Sequence, residues 1–204
     1  MKAKEAWKKF WFLIWKDDSF KGWIFSILFI FIFIKLIFFP TLGFITGTSL
    51  PLAIVESCSM YHQGNLFSDT DEWWDRHEKK YFKFFINGLD FQEFPFQKGF
   101  NKGDILLIIK AKPETLEEGD VIIFNSNQKN PVIHRIIDIK EEDGERVFAT
   151  IGDNNQGQLS FEKSITQDQL VGKAVIKVAP YFGWVKLVFY VWQRPSEKGF
   201  CNEN

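Results

Sequence analysis

The sequence predicts a mainly β protein, a coiled antiparallel sheet or partial barrel, with an amino-terminal transmembrane helix and an inserted amphipathic helix. The β prediction rests on several short strand-like runs between residues 102 and 179, with turn residues between them. No helices alternate with these runs, which argues against a parallel α/β fold. The membrane prediction rests on one long apolar segment at residues 22–39. A chain of 204 residues is long enough for one modest domain and an anchor, but not for two large domains.

The apolar segment is interrupted only by one serine and by Lys35. Roughly 18 to 20 helical residues span a bilayer core of about 30 Å, and Lys35 lies near the distal end, where its ammonium can extend to the headgroups. Pro40 and Gly43 then disfavour continuation of a regular helix. A cleavable leader fits poorly because its apolar stretch is usually about 7 to 15 residues long. We therefore predict a transmembrane signal anchor over residues 22–45, in preference to a buried core helix.

Residues 1–21 combine lysines with aromatic side chains. Trp7, Trp11 and Trp15 recur at helical spacing, which predicts a helix lying in the membrane interface. An aromatic content of 18% is also typical of proteins at bilayer surfaces. Because the lysines precede the apolar span, the positive-inside bias places the amino terminus in the cytoplasm and the rest of the chain outside. The net charge of −1 gives no basic field that would indicate nucleic-acid binding.

Residues 46–185 are predicted to form the extracytoplasmic domain. Its strand-like runs are, in chain order, 50–55, 105–109, 121–124, 132–139, 146–151 and 170–179.

Residues 61–100 are an insertion of different character. The charged segment 69–81 carries Trp73, Trp74, His77 and Tyr81 at helical spacing, which predicts an amphipathic helix that rests on the domain or touches the membrane.

Residues 186–204 are predicted to form an interfacial tail. The apolar run at 181–192 is too short, and too interrupted by Gly183 and Lys186, for a second span.

Three polar residues point to acyl-transfer chemistry. Ser59, in the sequence Ser-Cys-Ser-Met at residues 57–60, needs a base to become a nucleophile. His134 stands in an apolar strand and can exchange a proton near neutral pH, although a core histidine bonded to a backbone carbonyl is the alternative. Asp153, in the Gly-Asp-Asn-Asn turn at 152–155, either accepts a hydrogen bond from the imidazole or stabilises its own turn.

The remaining candidates are weaker. His62 is only a few residues from Ser59 and would need a tight local turn to reach it, and His77 belongs to the charged helix. Cys58 is either a competing nucleophile or a small apolar residue. Together with Cys201 it shows neither the spacing of a metal site nor that of a disulfide framework.

In this order the motifs resemble type I signal peptidases of the archaeal and endoplasmic-reticulum branch. The resemblance is carried by residues 57–60, 103–106, 119–124, 132–135 and 152–155, with 171–174 and 180–184 similar to the family's closing segment. It implies a membrane-bound serine endopeptidase, needing no cofactor or metal, that removes signal peptides from translocated precursors. It further implies that Ser59 is the nucleophile and His134 the base, in place of the lysine of typical bacterial enzymes. The Ser57 hydroxyl and the Ser59 N–H would form the oxyanion hole, and Asp153 matches the family's acidic residue.

Two departures from the family pattern leave the acid open. Cys58 occupies a position that is usually glycine, and Gln158 and Leu159 stand where this branch often carries paired aspartates. Either Asp153 completes a triad or the enzyme works as a Ser–His dyad.

The implied partners are signal-bearing precursors, the lipid bilayer and, as a further candidate, the translocation machinery, with no nucleic acid. The implied location is the cell membrane, with one span and an extracytoplasmic catalytic domain. Two alternatives stay open. One is a catalytically inactive, membrane-tethered β domain that binds partners through residues 61–100, and the other is a cysteine peptidase that uses Cys58 with His134. A self-cleaving repressor of similar fold is disfavoured by the anchor.

Overall fold

The structure is a computed structural model that describes residues 2–63, 70–190 and 199–201. It divides into two compact units, Met1–Ile45 and Thr46–Asn204.

Among the described residues, one helix is long and apolar enough to cross a membrane, Phe20–Thr46. It consists of α2 (Phe20–Phe33), a π-helical turn (Ile34–Phe38) and α3 (Phe39–Thr46). The expectation that Pro40 would interrupt the helix is therefore wrong. A proline normally leaves one carbonyl unbonded and clashes with the preceding turn. The wider π turn immediately before Pro40 changes the hydrogen-bond pattern at that point, so the helix continues.

Helix α1 (Lys2–Trp15) packs against α2 in the opposite direction. The Phe10 ring lies 5.4 Å from the Phe29 ring, and the Ser26 hydroxyl donates a hydrogen bond to the Ile14 carbonyl over 2.9 Å. The three tryptophans of α1 remain on an exposed face, where the Trp11 ring stacks on Trp7 and packs at a tilt against Trp15. The placement of this face in a membrane interface stays a prediction.

The second unit confirms the predicted mainly β fold. Six antiparallel strands form one sheet, curled into a half-barrel, in the order β1-β2-β6-β3-β4-β5. The strands are β1 (Leu52–Ile54), β2 (Ile105–Ile109), β3 (Val121–Phe124), β4 (Val132–Glu142), β5 (Glu145–Ile151) and β6 (Leu170–Ala179).

Strand β3 is buried on both faces because alternate side chains enter different hydrophobic clusters. Val121 and Ile123 pack in a cluster that includes Met60, whereas Ile122 and Phe124 pack in a second cluster on the other face. The sheet therefore has core on both sides at its centre, and β1 lies at one edge.

The inserted segment contains α4 (Thr70–Phe82) and α5 (Gly88–Glu93), joined by a short turn. The predicted amphipathic helix is confirmed, and its buried face carries Trp73 and Tyr81. These rings share a cluster with Ile137 and Ile151, which are side chains of β4 and β5. The helix therefore rests on the domain, as one of the two alternatives for it predicted.

Helix α6 (Trp184–Tyr190) begins where residues 183 and 184 bond to the loop before β2. The Gly183 N–H donates to the Gly103 carbonyl over 2.8 Å, and the indole of Trp184 donates to the Lys102 carbonyl over 2.9 Å. Of the predicted interfacial tail, residues 191–198 and 202–204 lie outside the described residues.

Candidate active site

The loop that carries Ser59 is held by backbone and side-chain bonds from the turn after β5. The Ser59 carbonyl accepts a hydrogen bond from the Asn154 N–H over 2.7 Å, and the Cys58 carbonyl accepts one from the Asn154 side-chain amide over 3.0 Å. A Cβ atom at Gly152 would lie 2.8 Å from the Ser59 carbonyl oxygen, so only glycine allows this close approach. The Gly-Asp-Asn turn therefore fixes the backbone of Ser59.

The two serines of the loop are in contact through their hydroxyls. Ser57 Oγ lies 3.1 Å from Ser59 Oγ. Ser57 is exposed and Ser59 is partly exposed, so both hydroxyls are open to an incoming group.

Ser59 and His134 line one cavity of about 890 Å³. Its wall also includes residues 52–54 of the edge strand β1 and Leu159 and Phe161 from the turn after Asp153. The structure therefore brings the predicted nucleophile, the predicted base and an unpaired sheet edge to the same space.

His134 lies near the start of β4 and is almost fully buried, with 3% of its surface exposed. Its Nδ1 atom forms a hydrogen bond with a carboxylate oxygen of Glu162, which is fully buried. An ionised carboxylate only accepts hydrogen bonds, so this partner assigns the proton of the neutral ring to Nδ1. Nε2 is left with a lone pair, which is the state that a general base requires.

Asp153 lies elsewhere, in contact with Arg135 rather than with His134. Arg135 donates to its two carboxylate oxygens over 2.7 and 3.0 Å. His134 and Arg135 are consecutive strand residues, and consecutive side chains of a strand point to opposite faces of the sheet. Asp153 is on the Arg135 side, so the expected hydrogen bond from the imidazole to Asp153 is absent among the described contacts, and Glu162 occupies the corresponding place.

The Asp153 carboxylate is the centre of a buried polar network. It also accepts hydrogen bonds from His62 Nε2 and from the Tyr81 hydroxyl, each over 2.9 Å. Lys80 donates to the main-chain carbonyl of Asp153 and, over 2.9 Å, to that of Asn155. The network thus joins the Ser59 loop, strand β4, the turn after β5 and helix α4.

Burial and charge act in opposite directions on this network. Burial alone would raise the pKa of Asp153, but the Arg135 charge and the His62 hydrogen bond outweigh it, so the pKa lies well below its usual range. Burial lowers the pKa of His62 by more than Asp153 raises it, so its ring is neutral near pH 7. Burial, followed by the Asp153 charge, raises the pKa of Tyr81, which therefore stays protonated as a donor. Asp153 is consequently a stable anion whose charge Arg135 balances.

The two other histidines have packing contacts within the described residues. The His62 ring stacks on Trp73 with the ring centroids 3.6 Å apart, and His77 stacks on the same indole at 4.4 Å. His62 is also bonded to Asp153 and nearly fully buried. Neither ring lines the cavity that holds Ser59.

Cys58 and Cys201 form a disulfide, which corrects the expectation that they form no framework. The two residues are 143 positions apart, a separation that carries no local signature. Because the sulfur of Cys58 is bonded, it offers no thiolate, and the alternative of a cysteine peptidase with Cys58 as nucleophile is wrong.

Glu162 is the residue that sequence reasoning missed. The only cue was its order in the chain, since it is the first acidic residue after Asp153. It follows Gln158 and Leu159, the positions at which aspartates were expected.

Comparison with known proteins gives two similar sequences and no matching family model. The signal peptidase complex catalytic subunit SEC11 of Colletotrichum graminicola is 28% identical over 111 residues, which cover 50% of this chain and 64% of that protein. Signal peptidase I W of Bacillus subtilis is 39% identical over 57 residues, which cover 28% of this chain and 30% of that protein. Each match thus covers less than two thirds of the relative's own length.

Proposed function

We propose, on the basis of its similarity to the signal peptidases, that this chain is a membrane-anchored serine endopeptidase. Its substrates are precursor proteins whose amino-terminal signal peptides it removes after translocation. The observation that carries this proposal is the shared cavity of Ser59 and His134 beside the edge strand β1.

The reaction begins when Ser59 Oγ attacks the scissile carbonyl while Nε2 of His134 takes its proton. The oxyanion is bound by the Ser59 N–H and the Ser57 hydroxyl, which is 3.1 Å from Ser59 Oγ before substrate binds. The imidazolium then protonates the leaving amine. Water hydrolyses the acyl-enzyme by the same base, and Ser59 is regenerated.

The cleavage-site segment binds as an extended strand along β1. This strand is at the edge of the sheet and its residues line the cavity, so the main-chain groups on its outer side can pair with a peptide. Main-chain bonding of this kind fixes the register of the scissile bond without requiring one particular sequence. The resemblance to the signal peptidases implies that small side chains next to the scissile bond are preferred.

The proposed location is based on the anchor, and the proposed partners are based on the name of a relative. Phe20–Thr46 crosses the membrane once, with the lysine-rich amino terminus in the cytoplasm and the peptidase unit outside. The Colletotrichum graminicola relative is named as the catalytic subunit of a complex, so further membrane subunits and the translocation machinery are candidate partners.

The test uses the full chain in lipid vesicles with a signal-bearing precursor, and the cleavage site is mapped by mass spectrometry. Ser59→Ala and His134→Ala should each abolish cleavage. Ser164→Ala is the matched control, because Ser164 is an exposed serine outside the cavity, and it should cleave normally. If the folded wild-type chain binds precursor without cleaving it, the inactive binding domain is the better account. If Ser59→Ala cleaves as fast as wild type, Ser59 is not the nucleophile.

A further inference from the structure

We infer that Glu162 is the positioning residue of the active site, holding the His134 imidazole in the tautomer and orientation that let it act as the base. This inference rests on the proposed function. The sequence left open whether Asp153 is the acid of a triad or whether there is no such acid, and we assign that role to Glu162.

The geometry of Glu162 is that of a fixed acceptor. One carboxylate oxygen bonds to Nδ1 of His134, and the other accepts the Leu159 N–H over 2.5 Å. The side-chain amide of Gln158 donates to the Glu162 carbonyl over 3.0 Å, so the turn that contains Glu162 is held by a second hydrogen bond. The carboxylate is fully buried, so neither oxygen rotates freely in solvent. Its bond to the imidazole is therefore held by the fold.

The balance of buried charge supports the same role. Asp153 is compensated by Arg135, which is fully buried beside it. In the described part of the chain, the only ion pair recorded for Glu162 is the one with His134. A buried carboxylate is costly without a cationic partner, and His134 becomes that partner each time it takes a proton. The protonated base that forms during the reaction is thus stabilised by Glu162.

The turn that delivers Glu162 also forms part of the substrate cavity. Leu159 and Phe161 line that cavity, and the helical turn Ser160–Glu162 connects them to the buried carboxylate. One short segment therefore contacts the substrate space and orients the base.

Glu162→Gln is the decisive substitution because it preserves size and keeps one oxygen for the Leu159 N–H. Its amide group would face Nδ1 and donate to it, which moves the ring proton to Nε2 and removes the base. By comparison with amide replacement of a triad acid, kcat should fall on the order of 10³- to 10⁴-fold with little change in KM. Glu162→Asp keeps a carboxylate on a side chain one methylene shorter, farther from the imidazole, and should retain part of the rate. Glu145→Gln, the same change at an exposed glutamate at the start of β5, should leave kcat unchanged.

The second measurement does not depend on activity. In the full chain with ¹⁵N-labelled histidine in detergent micelles, a ring N–H proton that is hydrogen-bonded to a buried carboxylate resonates far downfield. The signal of His134, identified by its absence from His134→Gln, should disappear in Glu162→Gln. The corresponding signal of His62, which bonds to Asp153, should remain and reports that the fold is intact.

Two results would overturn the inference: a kcat for Glu162→Gln within about threefold of wild type, or persistence of the His134 signal in that variant. If the glutamine variant does not fold, Glu162→Asp decides. Partial activity with a retained signal supports the role, and full activity without the signal refutes it. If Ser59→Ala stays active, the proposed function fails, whereas the His134 signal still tests the contact with Glu162.

Discussion

Replacement of Asp153 by asparagine should destabilise the peptidase domain far more than it impairs the chemistry. The side chains of Asp153 and Arg135 are both completely buried, and their closest atoms are 2.7 Å apart. The asparagine side chain would keep a hydrogen-bond acceptor but lose the negative charge, so the Arg135 guanidinium would remain buried without its counter-charge. The loss is therefore mainly one of folding free energy.

Breaking a buried ion pair by removal of one partner costs about 3–5 kcal/mol. Because the asparagine oxygen still accepts one hydrogen bond, we take the lower end, about 3 kcal/mol. For a domain of this size, each kcal/mol lowers Tm by about 2–4 °C. The expected decrease in Tm is therefore roughly 6–12 °C.

The assay is thermal unfolding of the full chain in detergent, followed by cleavage of a precursor well below the Tm of each variant. Asp138→Asn is the matched control, since Asp138 also lies on the sheet but pairs with Lys140 over 3.4 Å at a partly exposed site. An exposed pair contributes less than about 1 kcal/mol. Equal changes in Tm for the two variants would refute the assignment of Asp153 to a buried structural network. A loss of kcat as large as that of Glu162→Gln would refute the conclusion that Asp153 does not serve the base.

Four further predictions concern the pH dependence of stability, the disulfide and the oxyanion hole. The pKa of His62 is lowered in the folded state, so the unfolded chain binds more protons than the folded chain below about pH 6.5. The stability of the domain should therefore fall as the pH is lowered below that value. His62→Gln should flatten the pH dependence of Tm in that range. The pKa of Asp153 is also lowered, so its contribution to the stability of the domain is complete above about pH 4 and is lost only as the pH falls towards its folded-state pKa. This further decline in stability should persist in His62→Gln. Reduction of the Cys58–Cys201 disulfide should lower the free energy of unfolding by about 2–4 kcal/mol. The Tm of the reduced protein should then equal that of Cys201→Ser, a variant whose Tm should not respond to reductant. Two free thiols in the untreated protein would contradict the crosslink. Ser57→Ala should lower kcat by about 10²- to 10³-fold with little effect on KM, whereas Ser57→Thr should retain much of the rate, and equal kinetics of the two variants would remove the hydroxyl from the oxyanion hole.

The strands were predictable because their signal is local. The runs at 105–109, 121–124 and 170–179 have the bounds that the structure gives to β2, β3 and β6. Apolar and β-branched residues between turn residues favour extended backbone wherever they occur. The amphipathic face of α4 was predictable for the same reason, since Trp73 and Tyr81 recur at helical spacing.

Pro40 shows where a local rule fails. The sequence indicated the end of a regular helix there, and the structure continues to Thr46 through a π-helical turn. The rule describes the α-helical hydrogen-bond pattern, whereas the chain adopts a different pattern just before the proline. Only the backbone geometry of the preceding turn shows this.

The sequence by itself determined the residue types of the candidate site: a serine in a Ser-Cys-Ser-Met segment, a histidine in a strand, and acidic residues downstream. Tertiary structure alone decided which acid meets the histidine and which cysteines meet each other. His134 and Arg135 are adjacent in the chain but face opposite sides of the sheet, so Asp153 lies with one and Glu162 with the other. Cys58 and Cys201 lie 5.4 Å apart between their Cα atoms despite a separation of 143 residues. Such contacts depend on the path of the whole chain, and motif spacing records only its order.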